Sequence, residues 1–80
     1  MRIEQVDFNG NTEHATCHGV SADEITQVFA NQPRISRNRR NRSAVYSAFG
    51  HTDGGRPVRV NFRYDPASRS ARPISAWEDR

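Results

Sequence analysis

The hydrophobic pattern of this chain changes period at Pro33, and that change divides its 80 residues into two kinds of structure. Before it, Ile25, Val28 and Phe29 recur at the three-and-four spacing of one buried helical stripe. After it, Val58, Val60, Phe62 and Tyr64 alternate with Arg59, Asn61 and Arg63, the two-residue repeat of a strand with an apolar and a basic face. Hydrophobic residues are only 34% of the chain, yet they gather into such runs, which favours a folded domain over disorder. A chain this short makes one domain, 1–80, with a thin core.

Local signals place the elements. Ile3 to Phe8 reads as a weak strand before the turn Asn9-Gly10-Asn11, and Thr12 to His18 as two turns of helix closed by Gly19. Ser21 is followed three residues later by Glu24, a capping box, with Val20 and Ile25 placed to form the hydrophobic staple. Asp23 and Glu24 add negative charge in the first turn, where the helix dipole favours it. A helix therefore starts at Ala22 and ends by about Asn31, ahead of Pro33. Arg37 to Ser43 is too polar for a core strand and reads as an exposed strand edge or a loop. Strands follow over Ala44 to Thr52, Val58 to Tyr64 and Ala71 to Trp77, joined by turns at Asp53-Gly54-Gly55 and Asp65-Pro66. The expected fold is α+β, with two N-terminal helices on one face of an antiparallel meander.

All 12 basic residues are Arg, giving a net charge of +3 with no Lys. A guanidinium is a planar fork that matches phosphate and stacks on bases, unlike the compact ammonium of Lys. A solvated surface of a chain rich in Arg codons is the competing explanation. Cys17 has no partner for an internal disulfide, and the N-terminus lacks a long apolar stretch, so the cytoplasm is the expected location.

The ordered residues Asp7, His14-Ala15, His18-Gly19-Val20-Ser21, Glu24, Val28-Phe29 and Pro33, followed by Tyr46, Gly50, Thr52, Gly55-Arg56, Val60, Phe62 and Arg72-Pro73-Ile74-Ser75-Ala76, resemble the BrnT-like toxins of bacterial type II toxin-antitoxin systems. The resemblance covers nearly the whole chain. It implies a RelE-like fold, metal-independent endoribonuclease activity without a cofactor, and a cognate antitoxin. It also implies contact with operator DNA through the antitoxin complex. Trp77 stands where relatives usually carry Arg, and relatives usually continue past the position of Arg80 into a C-terminal helix. The alternative expectation is therefore a catalytically silent module that binds an antitoxin and nucleic acid.

Cleavage of RNA without a metal needs a base for the 2'-hydroxyl, an acid for the leaving oxygen and positive charge at the phosphate. Arg59 and Arg63, with Arg72, are the candidates for the charge. Of His14, His18 and His51, with Glu78 as the carboxylate possibility, His51 is the preferred acid or base, placed beside the Gly-Arg hairpin and expected near Arg56 and Arg63. Arg37, Arg39, Arg40, Arg42 and Arg56 are candidates for binding the RNA backbone, which gives salt-sensitive affinity rather than sequence reading. Each has a plain alternative as a solvated surface residue. Tyr46, Tyr64 and Trp77 are able to stack bases, with core packing preferred for Tyr64 and Trp77. His14 and His18 have a spacing that suits a metal, but nothing completes a ligand set, so no metal is expected. Cys17 is expected to be a small buried hydrophobe.

Overall fold

The computed structural model describes residues 1–37 and 45–80. The elements run β1 (Gln5–Val6), α1 (Thr12–Ala15), α2 (Ala22–Ala30), β2 (Arg34–Arg37), β3 (Tyr46–His51), β4 (Pro57–Asp65) and β5 (Ser70–Glu78). Among the described residues the strands form one sheet in the order β1-β5-β4-β3-β2. From β2 to β5 the pairing is antiparallel, as the alternation and the turns require. The sheet is nonetheless mixed, because β1 joins the edge parallel to β5, with Gln5 opposite Ser70 and Val6 opposite Ala71. Among the described residues this short edge is the departure from a pure meander.

The capping box forms as the sequence specifies. Ser21 Oγ accepts from the Glu24 N–H at 3.1 Å, and Glu24 Oε1 accepts from the Ser21 N–H at 3.1 Å. Val20 and Ile25 on either side of the cap are fully buried. The preceding helix is shorter than its breaker-free sequence suggests and ends at Ala15. Thr16 caps its end, donating its hydroxyl to the Thr12 carbonyl at 2.7 Å, and Gly19 turns the chain at φ +83°. Cys17 is exposed rather than buried, because it falls in this turn beyond the helix. Past α2, the strand forms at once after Pro33, earlier than the polar run that begins at Arg37.

The core is built on one side of the sheet. Val58, Val60 and Phe62 of β4, Ala48 of β3, and Ala71 and Ala76 of β5 are fully buried in one cluster with Ala15, Val20, Ile25 and Val28. Complete burial of a Val, Ile or Phe side chain is worth about 1.5–3 kcal/mol. Phe62 is the centre, with Phe29 edge-on at 5.0 Å and Tyr46 stacked at 5.8 Å between ring centroids. Tyr46 is therefore a core ring. Tyr64 also packs on the cluster, with its hydroxyl donating to the Arg2 carbonyl at 2.6 Å. At Gly50 a Cβ would come within 3.2 Å of Pro33 Cβ and 3.3 Å of Val28 Cγ1, so glycine lets the end of α2 lie against β3.

Ser21→Ala removes the acceptor of the cap and leaves a helical N–H without its partner. It is expected to lower stability by about 1 kcal/mol in urea unfolding followed by circular dichroism. An unchanged midpoint would mean that the cap is not holding α2.

Candidate nucleic-acid interface

Alternation along β4 sends Val58, Val60 and Phe62 to the core and Arg59, Asn61 and Arg63 to the opposite, outer face. The register then assembles that face into rows across the strands. One row runs Arg34, Phe49, Arg59, Trp77; the next is Ser36, Ser47, Asn61, Ser75. Beyond a bulge in which Ile74 is the extra residue of β5, Arg63 lies opposite Arg72. The outer face is therefore a shallow trough. Its floor is small and polar, with Ser47 Oγ donating to Asn61 Oδ1 at 2.7 Å. Its walls are an arginine-aromatic ridge and an arginine pair, about 13 Å apart by the strand rise.

The arginines of this face differ in their partners. Arg59 donates from Nε to Asp79 Oδ2 at 2.6 Å, and its guanidinium carbon lies 5.3 Å from the Phe49 ring centroid. Arg72 faces Asp65 at 3.4 Å and Asp7 at 3.7 Å with half of its side chain exposed, where ion pairing is worth little. Arg63 is exposed and, among the described residues, has no carboxylate within 4.0 Å.

His51 does not sit with Arg63. It ends β3 opposite Pro57, so Arg63 is six residues further along β4, about 20 Å away. The expectation of a His51–Arg63 pair fails because the strand runs away from the hairpin. Arg59 is the nearer arginine, one diagonal step from His51 across the ladder, about 7–8 Å between Cα atoms. The His51 and Phe49 rings meet edge-on at 5.8 Å. Beside them opens a groove of about 540 Å³, lined by Asn31, Arg34, Phe49 and His51 among others.

Arg56 and Arg37 lie elsewhere. Arg56 leaves the β3–β4 turn and reaches the start of α2. It donates to Glu24 at 3.0 and 3.1 Å, to the Gly19 carbonyl at 3.1 Å and, through Nε, to Glu78 at 3.0 Å. Its Nε and Nη1 donors are engaged inside the molecule. The same hairpin is tied to α2 further along: Gln27 Oε1 accepts from the Asp53 N–H at 3.0 Å, and Asn31 donates to Asp53 at 2.9 Å and to the His51 carbonyl at 3.0 Å. Glu24, Gln27 and Asn31 thus form a polar helix face that docks the turn, beside the apolar stripe that docks the strands. Arg37 is opposite Tyr46, on the helix side of the edge strand. Arg39, Arg40 and Arg42 fall outside the described residues.

Two residues of the face are not evident from the chain alone. Arg34 is obscured because a strand directly after Pro33 has no alternation of its own. Phe49 reads as core, although Ala48 and Gly50 on either side, small where the helix packs, mark the opposite face as the one that holds its ring. Trp77 also lies outside the core cluster, half-buried beside Arg59. Among the described residues no group of three or more His, Cys, Asp or Glu is arranged to hold a metal ion, and no helix is long and apolar enough to cross a membrane. Comparison with protein families, curated proteins and solved structures finds no match to this chain.

The bond from the Ser21 N–H, with the Arg56 guanidinium beside it, holds the Glu24 carboxyl below its ordinary value of 4.5. The unfolded chain therefore binds this proton more readily than the folded one. The resulting stabilisation is present above about pH 4.5 and is lost as pH falls through the lowered value. Glu24→Gln is expected to be less stable at neutral pH and to lose less of its remaining stability on acidification, measured by urea midpoints across a pH series. Parallel pH curves for the two proteins would exclude Glu24 as the group responsible.

Proposed function

We propose that this chain is the RNA-cleaving toxin of a toxin-antitoxin pair, and that it meets RNA on the outer face of its sheet. The observation that carries this reading is the pair of arginine-bearing ridges on either side of a small polar floor. Phosphate oxygens are the matching acceptors for guanidinium forks, and an open sheet face can follow a flexible strand. The resemblance to BrnT-like toxins supplies the reaction class, the RelE-like fold, the antitoxin as partner and operator DNA as a contact of the joint complex.

In this reading the scissile phosphate lies at the His51 end of the trough. His51 moves the proton, and Arg59 together with Arg34 offers positive charge as the phosphorane forms, so no metal is needed. Arg63 and Arg72 hold the backbone of the same strand further along. A second reading, the catalytically silent module, is favoured by one feature: Arg59 is already bonded to Asp79, while Arg63 and Arg72 stand far from His51.

Purified protein is expected to cut RNA in EDTA, and His51→Ala to slow cleavage by about 10²–10⁴-fold with little change in binding. Arg63→Ala should weaken binding to all sequences alike and lower the salt slope by about one contact's worth. Intact RNA under conditions of measured binding would replace the first reading with the second. A binding constant that does not respond to salt would remove both.

A further inference from the structure

We infer that Phe49 and Trp77 form a base-stacking platform for unpaired RNA, with Arg59 between them. This inference rests on the proposal that the outer face meets RNA, and it names the form of RNA and the residues that select it. The register places Phe49, Arg59 and Trp77 side by side on three adjacent strands. Both rings lie outside the core cluster and are half-buried, at positions that alternation sends to the outer side. A small thin-cored domain gains most by burying its aromatic rings. Keeping two of them on the polar face, next to guanidinium groups, needs a reason other than packing.

The chemistry of the row selects its occupant. Asp79 fixes the Arg59 guanidinium from one side at 2.6 Å, and the cation rests over Phe49 at 5.3 Å. Arg59 is thus held over Phe49, opposite Trp77 in the register, rather than extended freely toward solvent. Phe49 and Trp77 are two interstrand steps apart, about 10 Å, so they take two different bases of one strand rather than sandwiching a single base. Across the trough, Arg63 and Arg72 supply charge for the backbone that joins those bases. Flat π faces on one wall and phosphate-matching cations on the other fit a single-stranded nucleic acid. A paired duplex keeps its base faces inside its own stack and cannot reach the rings.

Trp77 is the chain's only tryptophan, so its fluorescence reports on this position alone. The test titrates the protein with a short single-stranded 2'-O-methyl RNA, which lacks the hydroxyl nucleophile and stays intact. The same strand annealed to its complement and a strand of equal length with abasic sites serve as comparisons, and affinity is read independently from a dye on the strand. The unpaired strand is expected to quench Trp77 to saturation, while the abasic strand binds more weakly without quenching. Trp77→Ala should weaken binding of the unpaired strand by about 5- to 100-fold and leave the abasic strand almost unaffected, with Trp77→Phe retaining most of the affinity. Phe49→Leu, which keeps an apolar side chain, should show the same selectivity for strands with bases.

If both strands bind equally and Trp77 emission is unchanged, the platform is overturned while RNA binding stands. If the duplex quenches as strongly as the single strand, unpaired bases are not the ligand. An oligoglutamate of equal charge that quenches as well would make an acidic protein segment the occupant and overturn the assignment. Failure of every strand to bind removes the platform and the proposed function together.

Discussion

One face of this sheet shares a single buried cluster with residues of two short helices, and the rest of the molecule follows from that limit. One face can be given to a core of Val58, Val60, Phe62 and small alanines, which lets the helices approach closely. The other must remain compatible with water while sharing the same strands. The chain meets both requirements by alternation, residue by residue, so that each position on the core side fixes what its neighbours show outside. Serines and Asn61 provide an outer floor, with Ser47 bonded to Asn61. The arginines of the neighbouring rows add charge beside it.

Holding α2 over the core side depends on polar groups as well as on apolar burial. Arg56 reaches three elements at once: the carboxylate that closes the capping box, the carbonyl of Gly19 before the cap, and Glu78 near the end of β5. A guanidinium can satisfy this geometry because its donors are fixed in one plane and point in different directions. A lysine ammonium at the same place would offer one point of charge and lose the simultaneous fit. Each contact is partly exposed and modest alone. Their shared residue makes the helix start, the hairpin and the last strand position one another.

Much of the architecture was legible in the chain. The capping box, the stop at Pro33 and the alternation from Val58 to Tyr64 are local signals, and each specified its element within a residue or two. What lay beyond reach was decided at a distance. Parallel pairing of β1 with β5 depends on a register between residues far apart in sequence, for which two residues of strand carry no pattern. The same holds for the face. Alternation correctly sent Arg59 and Arg63 outward, but only the ladder shows that His51 stands near the first and not the second. Arg56 looked like one more cation in an arginine-rich chain, and nothing local marks it as the partner of Glu24. The size of Trp77 predicts a place inside, whereas its position opposite Arg59 puts it on the outer row.

The parallel edge also constrains how the molecule comes into being. β1 is the first strand made, yet its partners Ser70 and Ala71 lie on the last one, so its hydrogen bonds close a loop of nearly the full chain. Such a closure costs configurational entropy and returns nothing until the end of the chain is in place. The β2–β4 ladder and α2 have partners nearer in sequence, while α1, like β1, packs on β5 and has no such neighbour before it. Completing the sheet at this edge is thus tied to β5, the strand that closes the longest separation in the fold.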